Sequence, residues 1–345
     1  MLLLLVLISG VTIAFCVLWA RHDKPFEFDH NTIDPWRHFR PFLAKHSIAL
    51  YETPEWDATP RSPVVVAQDA FHPQDTENFC FCVFPNMQRT GSGVWANPTP
   101  AIQLALDQKG REVVIKAVRR DSSERDIIER LASSPLRDCP ENHTIPVLSI
   151  LDLGSVTFLV QARWGHCNRG RYVPSLAFWA GTVQHQLLEG LAFMHGHRIA
   201  HGDIYPENIL WNCREIRSLD EPCPKFEKFK LSGACRMAFV DFGRSVHIPD
   251  QVDTCVFGGP DYGPPPPFRA PEIDNGFPFN PFAADVFSIG KVFMHLNPPS
   301  EISAAYQDLV AEMTSLTPAA RPTARAAFER LKILNQRERH EKRWE

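Results

Sequence analysis

The pattern of apolar and polar residues divides the chain into two regions of different character. From about residue 76 to residue 163, short apolar runs rich in Val, Ile and Phe are separated by polar turns, which is typical of β-strands. The predicted strands cover residues 79–84, 101–106, 112–118, 146–151 and 156–161, and one helix is predicted at residues 122–132. These elements predict a small, strand-rich lobe.

The second half of the chain has the periodicity of helices. Apolar residues at spacings of four and three share one helical face at Trp179, Val183, Leu187, Leu191 and Met194. Further helices are predicted at residues 283–296, 302–315 and 323–334, and a short strand at residues 238–240. A strand-rich lobe followed by a helix-rich lobe predicts an α+β, two-lobed fold with a cleft between the lobes.

The first twenty residues carry no charged side chain. This is about the length that a helix needs to cross a bilayer. Arg21 and Lys24 follow directly, and this basic flank favours a cytosolic position for the rest of the chain. We therefore predict a single-pass membrane anchor at residues 1–20. The alternative is a signal peptide cleaved after Ala20, which would place the chain in the secretory pathway.

The predicted folded domain covers residues 76–335, with lobes at about residues 76–163 and 164–335. Repeated prolines in residues 21–75 predict a linker and lead-in with one short helix near residues 36–44. Residues 336–345 are predicted to be a charged tail.

Composition argues against two classes of function. The net charge of −4 lacks the basic excess of a nucleic-acid-binding protein. The nine cysteines are odd in number and scattered, so neither a disulfide framework nor a zinc site is predicted. Nothing in the sequence indicates an oligomer.

Three ordered motifs carry candidate chemistry: HGDIYPEN at residues 201–208, DFG at residues 241–243 and APE at residues 270–272. Asp203 is the candidate base for an acceptor hydroxyl. Asn208 and Asp241 offer the oxygen ligands that Mg²⁺ prefers. Together the motifs predict phosphoryl transfer from a nucleotide.

Lys116 ends a run of apolar strand residues and is the candidate ligand for nucleotide phosphates. Glu124 is its candidate partner, because it lies in line with Ile128 on the predicted helix. The spacing of Asp121 and Glu124 also suits a capping box, in which Glu124 would only close the start of the helix. Both interpretations remain open at this point.

This arrangement resembles the eukaryotic protein kinase family over about residues 76–335. It is most similar to the divergent kinase-like proteins of filamentous and mushroom-forming fungi, whose hinge is similar to residues 158–165. The resemblance implies ATP and Mg²⁺ as cofactors and a protein hydroxyl, Ser or Thr, as acceptor. It also implies that Gln161 is the gatekeeper and that the backbones of Ala162 and Trp164 meet adenine.

The resemblance extends to three internal contacts. It implies that Arg321 pairs with Glu272 and that Asp285 braces the catalytic loop. A stack that joins the lobes is implied for His201, Phe242 and Ile128.

Two departures concern phosphate handling. The candidate glycine-rich loop at residues 91–96 lies too far from Lys116. Tyr205 replaces the lysine that contacts the transferred phosphate in Ser/Thr kinases, so either another cation substitutes or turnover is slow.

Two further departures concern regulation and docking. Gly202 replaces the usual arginine, so phosphorylation of Thr254 or Tyr262 is not expected to switch the protein on. An insertion at residues 213–236 is either a surface loop or a docking loop.

Two other functions compete with a protein kinase. A membrane-anchored pseudokinase scaffold would account for Tyr205 and the poor glycine loop. A small-molecule kinase similar to aminoglycoside and choline kinases would account for His-Gly-Asp at residues 201–203, but those enzymes lack the APE motif and a partner such as Arg321.

Overall fold

The computed structural model describes residues 2–8, 11–20, 36–50, 82–83, 100–166, 178–214, 233–250, 255–257, 262–296 and 303–340. Within these segments an antiparallel sheet precedes a mainly helical region. The prediction of an α+β, two-lobed fold is confirmed.

The elements of the first lobe and the preceding chain are β1 (Leu2–Ile8), β2 (Val11–Ala20), α1 (Arg40–Lys45), β3 (Ala49–Leu50), β4 (Cys82–Val83), β5 (Ile102–Leu106), β6 (Glu112–Arg119), α2 (Ser123–Leu131), β7 (Val147–Leu153), β8 (Val156–Ala162) and β9 (Gly165–His166). Five of these strands form one antiparallel sheet in the order β3-β5-β6-β8-β7. Its centre is the long ladder of β6 and β8, which runs from the pair Val113–Ala162 to the pair Arg119–Val156.

The two faces of this sheet are covered by different parts of the chain. Strand β8 is buried at every position, because both of its faces are covered. Ile115 of β6 and Phe158 of β8 pack on one side with Trp36, next to α1. Leu159 packs on the other side with Ile128 of α2. Residues 36–50, within the predicted linker, thus form part of the core of this lobe.

The elements of the second lobe are a π-helical turn (Trp179–Gln184) that continues into α3 (His185–Gly196), β10 (Ile199–Ala200), β11 (Ile209–Trp211), β12 (Cys213–Arg214), β13 (Met237–Phe239), β14 (Val246–His247), β15 (Cys255–Phe257), α4 (Pro281–His295), α5 (Ala304–Met313) and α6 (Ala324–His340). Short 3-10 turns lie at Leu136–Asp138, Pro206–Asn208, Pro271–Asn275 and Pro318–Ala320. The predicted apolar stripe that begins at Trp179 is buried along its whole length, against α6 among others.

Two short ladders place the motif-bearing loops side by side. The loop at residues 201–208 connects β10 to β11, and the loop at residues 240–245 connects β13 to β14. Strand β10 pairs with β14, and β11 pairs with β13. Because both ends of the two loops are joined by backbone hydrogen bonds, Asp203 and Asp241 are held in neighbouring positions.

The prediction of a membrane-spanning helix at residues 1–20, and with it the single-pass location, is wrong. Strands β1 and β2 pair antiparallel from Leu2–Val17 to Ile8–Val11, and β2 also pairs with β15. The segment is rich in β-branched residues, and Ser9 and Gly10 separate its two apolar runs, which favours two strands over one helix. No helix in the described part of the chain is long and apolar enough to cross a bilayer.

We predict that Gly190→Ala destabilises the fold. A Cβ added at Gly190 in α3 would lie 2.6 Å from the Cβ of His143, an atom next to the backbone that cannot turn away. Overpacking of this kind costs about 1–3 kcal/mol. The free energy of unfolding from urea denaturation measures the effect.

Gly196→Ala, in the last turn of the same helix, is the matched control. Nothing lies within 4 Å of a Cβ added there. Alanine is favoured over glycine in a helix by up to about 1 kcal/mol, so this variant should equal or exceed the wild type. Equal stability of both variants would contradict the packing argument.

Candidate active site

Lys116, Glu124 and Asp241 meet at the junction of the two lobes. Lys116 Nζ donates to Glu124 Oε1 at 2.5 Å and to Asp241 Oδ1 at 2.7 Å. Alternation along β6 turns Lys116 to the face opposite that of Ile115, toward α2. One cation thus joins a strand, a helix and the DFG loop.

The structure decides between the two interpretations of Glu124. The N-cap of α2 is Ser122, whose hydroxyl accepts from the N–H of Arg125 at 3.2 Å. Glu124 is therefore not needed to close the helix start, and its carboxylate binds Lys116 instead. The predicted contact between Lys116 and Glu124 is present.

The three charges of this cluster shift one another's protonation. Burial favours a neutral Lys116, but the carboxylates of Asp241 and Glu124 outweigh it and raise the pKa of Lys116. The charge of Lys116 lowers the pKa of Asp241 to about 2. Burial and the charge of Asp241 together raise the pKa of Glu124, although Lys116 opposes them. The ammonium group is thus bound between two carboxylates, with the shorter contact to Glu124.

Asp203 lies at the second half of the site with both carboxylate oxygens engaged. Its Oδ1 accepts from Arg244 Nη1 at 2.9 Å, and its Oδ2 accepts from Asn208 Nδ2 at 3.1 Å. Burial raises the pKa of Asp203, and the charge of Arg244 opposes this. Because Asn208 uses its amide nitrogen on Asp203, its amide oxygen is the atom left to bind a cation.

A buried carboxylate holds the loop at residues 201–208 in place. Asp285 of α4 accepts the N–H of His201 at 2.7 Å and the N–H of Gly202 at 2.9 Å. His195 Nε2 lies 3.1 Å from the same carboxylate. The brace implied for Asp285 is therefore present.

The structure has no room at Gly202 for the arginine that is usual at this position in the family that the chain resembles. Its φ is +75°, and an added Cβ would lie 2.5 Å from the carbonyl oxygen of Arg244 and 2.4 Å from the hydroxyl oxygen of Tyr262. Tyr262 is itself buried. The backbone packing here thus explains the glycine.

Asp241 has an unusual backbone conformation. Its φ of +67° is in the left-handed region, which a residue with a side chain rarely adopts. The N–H of Gly243 contacts its Oδ1 at 3.3 Å. Strain of this kind occurs at ligand-binding positions where the surroundings fix the backbone.

Of the implied stack between the lobes, the contact between His201 and Phe242 is present. The rings of His201 and Phe242 have centroids 5.0 Å apart. Phe242 and Ile128 belong to the same buried apolar cluster. Burial lowers the pKa of His201, so its ring is neutral near pH 7 and suits this environment.

The implied pair of Arg321 and Glu272 is a bidentate one. The distances are 2.5 Å from Nη1 to Oε1 and 2.8 Å from Nη2 to Oε2. The guanidinium also donates to the carbonyl of Ala283 and lies over the ring of Phe287. This pair anchors the APE segment to α4.

The three predicted adenine contacts lie where the chain leaves β8. Gln161 is buried opposite Val114 of β6. The N–H of Ala162 donates to the carbonyl of Pro146 at 3.1 Å. Trp164 is in a small apolar cluster with Ala162.

Several predicted features lie outside the described residues. These are the glycine-rich candidate at residues 91–96, Thr254, and most of the insertion, residues 215–232. Of the strand predicted at residues 79–84, the described part is β4.

Sequence reasoning missed Arg244, the ion-pair partner of Asp203. A signal was available, because Arg244 directly follows the DFG motif. Position alone did not show that its side chain turns toward the catalytic loop.

The fold and these contacts define a protein-kinase-like domain. Two curated relatives are protein kinases. The chain is 25% identical over 269 residues to the dual specificity protein kinase lkh1 of Schizosaccharomyces pombe, an alignment that covers 71% of this chain and 37% of that protein. It is 28% identical over 179 residues to an Aurora kinase of Yarrowia lipolytica, which covers 45% of this chain and 40% of that protein.

No protein-family model matches the chain. The chain spans about two fifths of the length of the two relatives. With the fold and the internal contacts, these relatives support the resemblance of the chain to the eukaryotic protein kinase family.

We predict that Lys116→Met makes folding stability depend on pH. Without the ammonium group, Glu124 and Asp241 repel each other and their pKa values rise above those of the unfolded chain. A carboxyl group with a raised folded pKa stabilises the fold at low pH, and this contribution is lost as the pH rises through that value. At pH 8 the free energy of unfolding of the variant should be roughly 2 kcal/mol below that of the wild type. This is less than the cost of breaking a fully buried pair, because Asp241 is 41% exposed.

Unfolding temperatures of the wild type and the variant between pH 5 and pH 8, in metal-free buffer, test this prediction. The deficit of the variant should grow with pH. Adding Glu124→Gln to Lys116→Met removes one of the two charges and should reduce that growth. A deficit that is constant across the range would show that lost packing, not charge, is responsible.

Proposed function

We propose that the protein transfers the γ-phosphoryl group of ATP to a protein hydroxyl in a Mg²⁺-dependent reaction. The observation that carries the proposal is Lys116 held between Glu124 of α2 and Asp241 of the DFG loop, next to the pair of Asp203 and Asn208. A strand lysine, a helix carboxylate and two loop acids then lie together at the junction of the two lobes. A crevice between the lobes there would suit an anionic nucleotide with its metal.

The donor set fits a magnesium ion that is also bound by the phosphates of a nucleotide. Asp241 and Asn208 offer hard oxygen atoms, which Mg²⁺ prefers. Among the described residues no group of three or more His, Cys, Asp or Glu side chains can hold a metal alone. The remaining ligands would come from phosphate oxygens and water. Bound Mg²⁺ would neutralise charge on the phosphate oxygens.

The chain's own residues position the reactants. Lys116 would bind the α- and β-phosphates, and Glu124 fixes the direction of its side chain. Asp203 would orient the acceptor hydroxyl and receive its proton, since Arg244 and Asn208 hold the carboxylate in place. Gln161, Ala162 and Trp164 would border the adenine. Positioning and charge stabilisation then supply most of the acceleration.

We propose Ser or Thr as the acceptor, because Pro206-Glu207-Asn208 is closer to the pattern of that class. The name of the Schizosaccharomyces pombe relative includes dual specificity, so tyrosine is the competing acceptor. Peptides that differ only in Ser, Thr or Tyr at the acceptor position separate the two.

One observation favours a second candidate, a nucleotide-binding pseudokinase. Tyr205 stands where the resemblance suggested a lysine, and its phenol is neutral or, when ionised, negative. It supplies no positive charge to the phosphate. No observation favours a small-molecule kinase, and the paired Arg321 and Glu272 argue for the protein kinase class.

We predict that wild-type protein transfers labelled phosphate from ATP to a generic protein acceptor, and that Asp203→Ala slows transfer at least about 100-fold. Asp126→Ala is the matched control, because Asp126 lies on the exposed face of α2 and its side chain is 74% exposed. A thermal shift with ATP and Mg²⁺, with Asp241→Asn as the comparison, measures binding separately.

The outcomes separate the candidates. Transfer that is lost in Asp203→Ala and kept in Asp126→Ala supports the kinase. A Mg²⁺-dependent thermal shift without transfer supports the pseudokinase. If the wild type shows neither a thermal shift nor phosphate transfer, both proposals are overturned.

A further inference from the structure

Acids outnumber cations in the crevice. Among the described residues, Glu124, Asp203 and Asp241 face each other there, and the cations that touch them are Lys116 and Arg244. A phosphoryl group in transfer adds further negative charge. A second cation within reach of Asp203 therefore has a clear electrostatic use.

Arg244 has both a fixed position and spare hydrogen-bonding capacity. Its Nη1 donates to Asp203 Oδ1 at 2.9 Å and to the carbonyl of Gly263 at 2.6 Å. A guanidinium has five N–H donors, and in the described part of the chain those on Nε and Nη2 make no hydrogen bond. The side chain is 29% exposed, so a ligand in the crevice can reach it.

The other candidates for this charge do not fit. Lys116 is committed to Glu124 and Asp241 at the opposite side of the site. Tyr205, at the position where the resemblance suggested a lysine, has a phenol side chain, which carries no positive charge in either protonation state.

The backbone around Arg244 is fixed by three local contacts. The N–H of Ser245 donates to the carbonyl of Phe242, and its hydroxyl donates to the carbonyl of His201 at 2.7 Å. The carbonyl of Arg244 occupies the space that a side chain at Gly202 would need. The backbone of residue 244 therefore packs directly against Gly202.

We infer that Arg244 is a catalytic residue that contacts the transferred phosphoryl group and takes the place of the cation missing at position 205. This inference rests on the proposed function. In the step, the acceptor oxygen forms a bond to the γ-phosphorus and the bond from that phosphorus to the β,γ-bridging oxygen breaks. The hydroxyl proton goes to Asp203, and ADP leaves with the bonding electron pair. Arg244 would contact the oxygens of the γ-phosphoryl group throughout.

The test compares Arg244→Gln, Arg244→Lys and the double variant Arg244→Gln/Tyr205→Lys in the full chain. We predict that Arg244→Gln lowers kcat about 100-fold or more, as removal of other transition-state donors does. Its KM for ATP should change little. Arg244→Lys should retain more activity, and the double variant should recover at least tenfold over Arg244→Gln. Arg330→Gln, which removes an exposed arginine paired with Glu312, is the control and should match the wild type.

Recovery in the double variant would show that Arg244 acts through its charge and not by holding the loop in place. A lysine at position 205 supplies a charge but cannot restore the contact with Gly263. Failure of that variant to recover would overturn the inference, as would unchanged or faster transfer by Arg244→Gln. Faster transfer would show that Arg244 restrains Asp203. If the wild type does not transfer phosphate, the proposed function is overturned and this inference with it. The other outcomes leave the proposed function intact.

Discussion

The ammonium group of Lys116 is the point on which the arrangement of this molecule depends. It lies 2.5 Å from a helix carboxylate and 2.7 Å from a loop carboxylate, so three elements that are distant in sequence meet at one charge. Glu124 is largely buried, and without its partner a buried carboxylate is costly. This constraint fixes the position of α2 relative to the DFG loop. The same charge lowers the pKa of Asp241 and keeps it ionised.

Around this point, α4 holds two of the loops that carry the motifs. Asp285, buried within α4, accepts two backbone N–H groups of the catalytic loop. Arg321 ties the APE segment to the same helix. One helix thus supports both the loop that carries Asp203 and the segment that follows the crevice. The departures from the family pattern, Gly202 and Tyr205, lie on the side of the crevice where Arg244 is found.

Local patterns predicted most of this architecture. The central strands, the helix with Glu124 and the stripe from Trp179 follow from alternation and helical spacing, and the motif order indicated which side chains would meet. The failures arose where long-range packing decides. An uncharged run at residues 1–20 has the composition of a helix or of strands, and only its pairing partner selects between them. The direction of the Arg244 side chain depends on Asp203 and Gly263, which lie 41 and 19 residues away.

The short segment that begins at Trp36 has a practical consequence for expression. Its indole N–H donates to the carbonyl of Pro100, and Phe39 and Phe42 cover Phe158 on the outer face of the sheet. A fragment begun at residue 76, where the strand pattern starts, would leave that aromatic face in water. Such a fragment would be prone to aggregate through the uncovered surface. Recombinant fragments should therefore begin ahead of residue 36.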